Sequence, residues 1–256
     1  MEPFLRHLAT LLVQDHGKDL ADVAVVLPSQ RAGLYLRRHL ADVSGTTIWS
    51  PQVLTLSGLV ERISGLRTAA TTDLLFDGHA VLRTLAGQQD VPFGEFLQWA
   101  PTALRDMSEV DAHLINLDSF YRDLRNWEEL DWSFNDVPLS QGQERMLRYW
   151  AMKGDLHRAL NERLLGLGRG TAGAVERAAV EVADRTQERT RWTKVWVAGL
   201  NALTPAQQAV LRTLKQHDLL EVAWDADRYY LEDAPQEAGE ALRTNIGALG
   251  TGRVQP

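Results

Sequence analysis

The chain of 256 residues contains no cysteine. Disulfide bonds and thiolate-bound zinc are therefore excluded, and this composition is typical of proteins that fold in a reducing compartment. The amino-terminal segment contains acidic residues, and it has neither a cleavable apolar region nor an apolar run of about twenty residues. From these absences we expect a cytoplasmic protein that is neither exported nor inserted into a membrane.

Several signatures of catalytic sites are also missing. The phosphate-binding loop GxxxxGK[ST], the nucleophile elbow GxSxG and the zinc-binding HExxH pattern do not occur. Without the phosphate-binding loop, an ATP-driven motor of the P-loop kind has no group to hold the phosphates of ATP. The seven histidines show no paired spacing of metal ligands, so we expect neither a bound metal nor a cofactor.

The charge of the chain is unevenly distributed along its length. The net charge is −7, yet residues 1–69 hold seven Lys/Arg against six Asp/Glu. A free-standing DNA-binding domain usually carries a basic patch, and no basic run occurs in this sequence. We therefore expect DNA binding by this chain alone to be weak.

Short apolar runs rich in β-forming residues predict four buried strands, at 23–27, 53–56, 195–198 and 219–224. After the third run, Thr204, Pro205 and Gln207 form the pattern of a capped helix start with a capping box. Strands that alternate with helices predict a parallel sheet covered by helices on both faces. The predicted fold class is therefore α/β.

The pattern changes between the second and third predicted strands. From 72 to 191 helical periodicity dominates and no strand is expected, which predicts an all-helical insertion. The α/β domain would then be discontinuous, with residues 1–71 and 192–246, and the glycine-rich tail 247–256 is expected to be disordered. Because a sheet of four strands is small for its class, we expect the chain to be the first portion of a larger protein.

Three parts of the chain resemble, in the expected order, the N-terminal region of AddB-like proteins of the PD-(D/E)XK nuclease family. These parts are VAVVLPSQRAGLYLRRHL, then WAPTALRDMSEVDAHLINLDSFYRDLRNWEELDW, and finally VWVAGLNALTPAQQAVL with WDADRYY and QEAG. AddB-like subunits belong to bacterial helicase–nucleases that process DNA double-strand breaks. The resemblance implies a domain like the first motor domain of a superfamily-one helicase, with its motor inactivated.

The same resemblance implies a function and a partner. In that family the inactive helicase half shapes a DNA channel and supports a partner motor, here an AddA-like subunit, while the nuclease domain lies far toward the C-terminus. The expected function is therefore that of a non-catalytic N-terminal scaffold region that contacts single-stranded DNA. No residue of this chain is assigned to nuclease catalysis.

The first candidate site is the turn after the first predicted strand. Ser29, Gln30 and Arg31 follow Pro28 and open a helix, whose N-terminus and arginine suit a phosphate of single-stranded DNA. The alternative is purely structural, because Pro28 and Ser29 are also the residues that stop a strand and cap a helix.

The second candidate site is a polar cluster at the ends of the later strands, formed by Asn201, Asp225, Asp227 and Glu237. Asp225 and Asp227 leave open a nucleotide- or nucleotide-sugar-binding enzyme that uses a divalent metal. Glu237 either organises this edge or provides a carboxylate for the first turn of a helix. A third function, a protein-interaction module of a repair complex without DNA contact, also remains open.

Overall fold

The computed structural model describes residues 3–133, 141–232 and 235–254. The helices are α1 (Phe4–His16), α2 (Gln30–Ser44), α3 (Leu56–Ser64), α4 (Thr71–Leu82), α5 (Phe93–Leu97), α6 (Ala100–Ala112), α7 (Leu117–Ser133), α8 (Gln141–Gly166), α9 (Ala172–Val182), α10 (Thr186–Arg189), α11 (Pro205–Gln216), α12 (Arg228–Glu232) and α13 (Glu240–Leu249). The strands are β1 (Val23–Leu27), β2 (Gln52–Thr55), β3 (Arg67–Thr68), β4 (Arg169–Gly170), β5 (Lys194–Ala198), β6 (Leu220–Trp224) and β7 (Arg253–Val254).

The chain divides into two compact units. The first, which we call the sheet unit, comprises residues 1–64 and 178–256, and the second, the helical unit, comprises residues 65–177. The boundaries that the sequence suggested at 72 and 191 thus shift to 65 and 177. One reason is a two-stranded ladder in the helical unit, in which β3 pairs in parallel with β4. The expectation of no strand between 72 and 191 is therefore wrong at β4.

The sheet unit contains a parallel sheet with the strand order β2-β1-β5-β6-β7. All four predicted strands are confirmed, with ends that differ by no more than one residue. In the register, Val25 of β1 lies opposite Val53 of β2 on one side and Trp196 of β5 on the other. The fold is therefore α/β with a small parallel sheet.

The tail is better ordered than the sequence indicated. Residues 247–249 form the last turn of α13, and Arg253–Val254 pairs with Ala223–Trp224 as the short strand β7. The prediction of a disordered tail from Gly247 is thus wrong for the residues that the structure describes. Backbone pairing fixed this segment although its sequence contains no apolar run, which explains why the pattern did not indicate a strand.

Helices cover the sheet on both faces. Val23, Val25 and Leu27 of β1 point into a core that they share with α1 and α2. Helix α3 contacts β1 on the sheet, and α11 contacts both α3 and β6. With cover on both sides, the inner strand β1 is apolar and buried along its whole length rather than alternating, as expected for a parallel sheet.

The helical unit has its own apolar core. Leu82 of α4, Phe96 of α5, Met107 of α6 and Leu160 of α8 are fully buried members of it. Across the described ranges, no helix combines the length and the apolarity that crossing a membrane requires.

Candidate functional site

The parallel strands of the sheet unit all end at the same edge, which we call the carboxyl edge. The chain passes from β1 to β2 on one side of the sheet, whereas β5, β6 and β7 follow one another on the other side. The direction of strand addition therefore reverses between β1 and β5. In doubly wound sheets, ligands bind in the crevice outside the carboxyl ends at such a switch point. The residues that follow β1, β5 and β6 are therefore the candidates for ligand binding.

The turn after β1 carries the first predicted site. Ser29 Oγ accepts a hydrogen bond from the Ala32 N–H at 3.2 Å, which confirms Ser29 as the N-cap of α2. Gln30 and Arg31 are exposed in the first turn of this 15-residue helix. The Arg31 guanidinium forms no hydrogen bond or ion pair with any other residue that the structure describes. An exposed cation beside free helix N–H groups is suited to an anion.

The second predicted site is brought together at the same edge, with one exception. Asn201, Asp225 and Asp227 line a pocket of about 310 Å³. Glu237 is exposed and does not line this pocket, although its neighbour Ala238 does. Gly199 has a φ of +65°, so the chain turns sharply where β5 ends, and this turn lets Asn201 line the pocket.

The polar groups of this pocket have different roles. Asp227 Oδ1 accepts a hydrogen bond from the Tyr229 N–H at 2.9 Å, and so it caps the start of α12. The backbone carbonyl of Asn201 accepts from Asn245 Nδ2. The exposed Asp225 carboxylate forms no hydrogen bond or ion pair with another described residue. Within the described ranges, no group of three or more His, Asp or Glu side chains is arranged to hold a metal ion.

The carboxyl edge consequently carries charge of two signs. Arg31 follows β1, Asp225 and Asp227 follow β6, and β5 separates the two ends. Unlike charges attract and like charges repel, so an anionic ligand at this edge is favoured beside β1 and disfavoured beside β6.

The structure also contains a polar cluster in the helical unit that the sequence analysis missed. Tyr121 Oη lies 2.9 Å from His157 Nδ1, and His157 Nε2 lies 2.8 Å from Asp111 Oδ2. Asn161 Nδ2 donates to the same Asp111 oxygen at 3.0 Å. Arg177 Nε lies 3.0 Å from Asp111 Oδ1, close enough for an ion pair but without the alignment of a hydrogen bond. We call these five residues the Asp111 network.

Burial and bonding act in opposite directions on the Asp111 carboxyl. Burial raises its pKa, whereas the hydrogen bond and charge of His157, together with Asn161 and Arg177, lower it. The net result is a pKa below the ordinary value of 3.8, so the carboxylate is ionised at neutral pH. Because its members bond mainly to each other and Asp111 and His157 are fully buried, the network is suited to holding helices together.

A weak sequence signal for this network existed. Met107 and Asp111 are four residues apart in α6, and His157, Leu160 and Leu164 follow helical spacing in α8. A polar residue on an apolar helix face indicates a buried partner, but the pattern does not reveal which residue that partner is.

Comparison with known proteins identifies no family for this chain, since no protein-family model and no curated protein matches its sequence.

Proposed function

We propose that this chain is the non-catalytic N-terminal scaffold region of an AddB-like helicase–nuclease that acts in DNA double-strand break processing. In this proposal the carboxyl edge of the sheet unit contacts single-stranded DNA. The observation that carries the DNA contact is the exposed Arg31 in the first turn of α2, directly after β1 at the switch point of the sheet. Ser29 holds the helix start in place through its bond to the Ala32 N–H.

The amino-acid sequence of the loop after β1 supports the scaffold role. A motor would need a glycine-rich loop and a lysine at the end of a strand, and the residues there are Pro28 and Ser29. We therefore expect the chain to hydrolyse no ATP by itself. In the assembled protein an AddA-like partner subunit would supply the motor, in the cytoplasm.

The distribution of charge favours the β1 end over the pocket as the DNA contact. Asp225 and Asp227 are exposed carboxylates at the pocket, and they repel phosphate groups. Asp227 already caps α12 through the Tyr229 N–H, which gives this carboxylate a structural role. The metal-dependent nucleotide enzyme therefore has less support than the scaffold.

The DNA contact is tested by fluorescence anisotropy with a labelled single-stranded oligonucleotide at low salt. Arg31→Ala is expected to weaken binding and to reduce the slope of log K against log salt by about one. Arg37→Ala is the matched control, since Arg37 is also exposed on α2 but lies away from its first turn. Equal affinities for the wild type and Arg31→Ala would contradict the proposed contact.

The scaffold role has a separate test. The full chain is co-expressed with an AddA-like subunit from the same genome, and a tag on one protein is used to recover the other after nuclease treatment. The proposal predicts a complex that survives the removal of DNA. Failure of the two proteins to associate under any salt condition would contradict the assignment of the partner.

A further inference from the structure

Helix α2 exposes a stripe of four side chains along its outer face: Arg31, Leu34, Tyr35 and Arg38. Residues three, four and seven positions apart lie on one side of a helix, so these four are neighbours. Leu34 is 65% exposed and Tyr35 is 49% exposed. We call this surface the α2 stripe. Two adjacent large apolar side chains at such exposure are available to a molecule that binds this face.

The opposite face of α2 fixes the direction of the stripe. Leu36 and Leu40 are buried in the core of the sheet unit. At Gly33 the helix lies so close to β2 that an added Cβ would be 2.7 Å from Val53 Cγ1. The helix therefore cannot turn its apolar core face outward, and the stripe is held on a rigid element.

The charge of the stripe restricts what can cover it. Within the described residues, neither Arg31 nor Arg38 forms an ion pair or a hydrogen bond through its side chain. They are seven positions apart in the sequence, which corresponds to roughly 10 Å along the helix axis. Although the chain carries a net charge of −7, α2 exposes three arginines, of which Arg31 and Arg38 lie on either side of Tyr35.

We propose that the α2 stripe is a stacking platform for single-stranded DNA. Tyr35 offers its ring to a base, Arg31 and Arg38 contact phosphates on either side of that base, and Leu34 packs beside it. Proteins that bind single strands without sequence preference combine aromatic rings with cations in this way. The proposal rests on the proposed DNA contact at the start of α2, and it extends that contact along the helix.

Charge complementarity favours a nucleic-acid strand over a protein as the occupant. A protein covering this face would have to pair or desolvate both guanidinium groups, whereas a strand brings a phosphate to each of them. The apolar part of the stripe is also confined to Leu34 and Tyr35, which matches the size of one or two bases better than that of a protein interface.

The experiment compares four further variants of the full chain with the wild type and Arg31→Ala in the anisotropy assay with labelled oligothymidine at low salt. Tyr35→Ala is expected to weaken binding at least about fivefold, whereas Tyr35→Phe retains the ring and binds like the wild type. Arg38→Ala is expected to weaken binding and to lower the salt slope, and Arg37→Ala, which removes the same charge beside the stripe, is expected to leave both unchanged. Circular dichroism of each variant verifies its fold.

The outcomes separate this proposal from the one on which it rests. If Arg31→Ala weakens binding while Tyr35→Ala and Arg38→Ala bind like the wild type, DNA contacts only the start of α2 and the platform is wrong. If the wild type ignores the oligonucleotide at low salt, both proposals are wrong. If Tyr35→Ala keeps its DNA affinity but loses the AddA-like subunit, the stripe is a protein-binding surface and the platform is again overturned.

Discussion

The Asp111 network of the helical unit and the carboxyl edge of the sheet unit use polar side chains in opposite ways. In the helical unit, Asp111 and His157 are fully buried and bonded to each other. In the sheet unit, the Arg31 and Asp225 side chains are exposed at the carboxyl edge and form no hydrogen bond or ion pair with another described residue. A buried polar group must be bonded because its loss of hydration is otherwise uncompensated, whereas an exposed one is available to a ligand.

This difference indicates where function is expected. Bonded and buried polar groups specify how helices pack. Exposed charges on a rigid edge contribute little to stability, so such residues can be selected for ligand binding without a cost in folding. The comparison therefore predicts that changes in the Asp111 network mainly affect folding and that changes at Arg31 mainly affect affinity.

The largest expected effect comes from breaking the Asp111 network. Asp111→Ala leaves the His157 ring, the Asn161 amide and the Arg177 guanidinium without their shared acceptor in a buried site. Removing one partner of a buried ion pair costs about 3–5 kcal/mol, and we expect a loss of this size in the free energy of unfolding. Urea denaturation followed by circular dichroism measures it.

Asp118→Ala is the matched control in the same unit. Asp118 also bonds to an arginine, with Arg158 Nη1 at 3.1 Å, but its side chain is 82% exposed. Exposed pairs of this kind contribute less than about 1 kcal/mol. Equal losses for the two variants would show that burial does not distinguish them and would break the comparison between the units.

An intermediate effect is expected where helices pack at glycine. In the helical unit, a Cβ at Gly173 would lie 1.7 Å from the Ser108 carbonyl oxygen, which is backbone and cannot move aside. Gly173→Ala is therefore expected to cost about 1–3 kcal/mol. In the sheet unit the matching change, Gly33→Ala, meets the side chain of Val53, which can rotate, so its cost should be smaller. Thermal unfolding of both variants tests the order, and a more costly Gly33→Ala would contradict it.

The smallest expected effect is a difference in the pH at which His16 of the sheet unit and Asp111 of the helical unit lose their contributions to stability. Burial lowers the pKa of His16 below its ordinary 6.5, and its neutral Nε2 accepts a hydrogen bond from Trp196 Nε1 at 3.0 Å. Below pH 6.5 the unfolded state then binds more protons at His16 than the folded state, so stability decreases as the pH falls through this range. The pKa of the Asp111 carboxyl lies below its ordinary 3.8. Its contribution to the free energy of unfolding is therefore fully present above pH 3.8 and is lost only in stronger acid.

His16→Gln isolates the contribution of the sheet unit. Glutamine remains neutral and offers an acceptor to Trp196, so the decrease in unfolding free energy between pH 7 and pH 5 should become shallower. Urea titrations at several pH values measure this decrease. An identical pH dependence in His16→Gln and the wild type would assign the acid sensitivity to other groups.

The sequence predicted the sheet better than the contacts between distant residues. Continuous apolar runs such as Val23–Leu27 identify a buried strand locally, and the capping box of Thr204 and Gln207 is confirmed because all its parts lie within four residues. The pairing of Arg253–Val254 and the bond from His157 to Asp111 depend on residues far apart in the chain. No local pattern specifies such partners, which is why the tail and the Asp111 network were not predicted.

The candidate site was likewise predicted only in part from the sequence. Because parallel strands end at one edge, the sequence was sufficient to predict that Asn201, Asp225 and Asp227 lie close together, and these three residues line a common pocket. It could not show that Asp227 caps α12, or that Leu34 and Tyr35 face outward from α2. Exposure of these side chains depends on which helix face meets the sheet.

The measurement that tests the central claim most directly is ultraviolet cross-linking of the full chain to oligothymidine at low salt, with the cross-linked peptides identified by mass spectrometry. The account predicts cross-links within α2 of the sheet unit, with Tyr35 among the modified residues, and a decrease as salt is raised. Cross-links confined to residues 65–177 of the helical unit, or none at low salt, would contradict it.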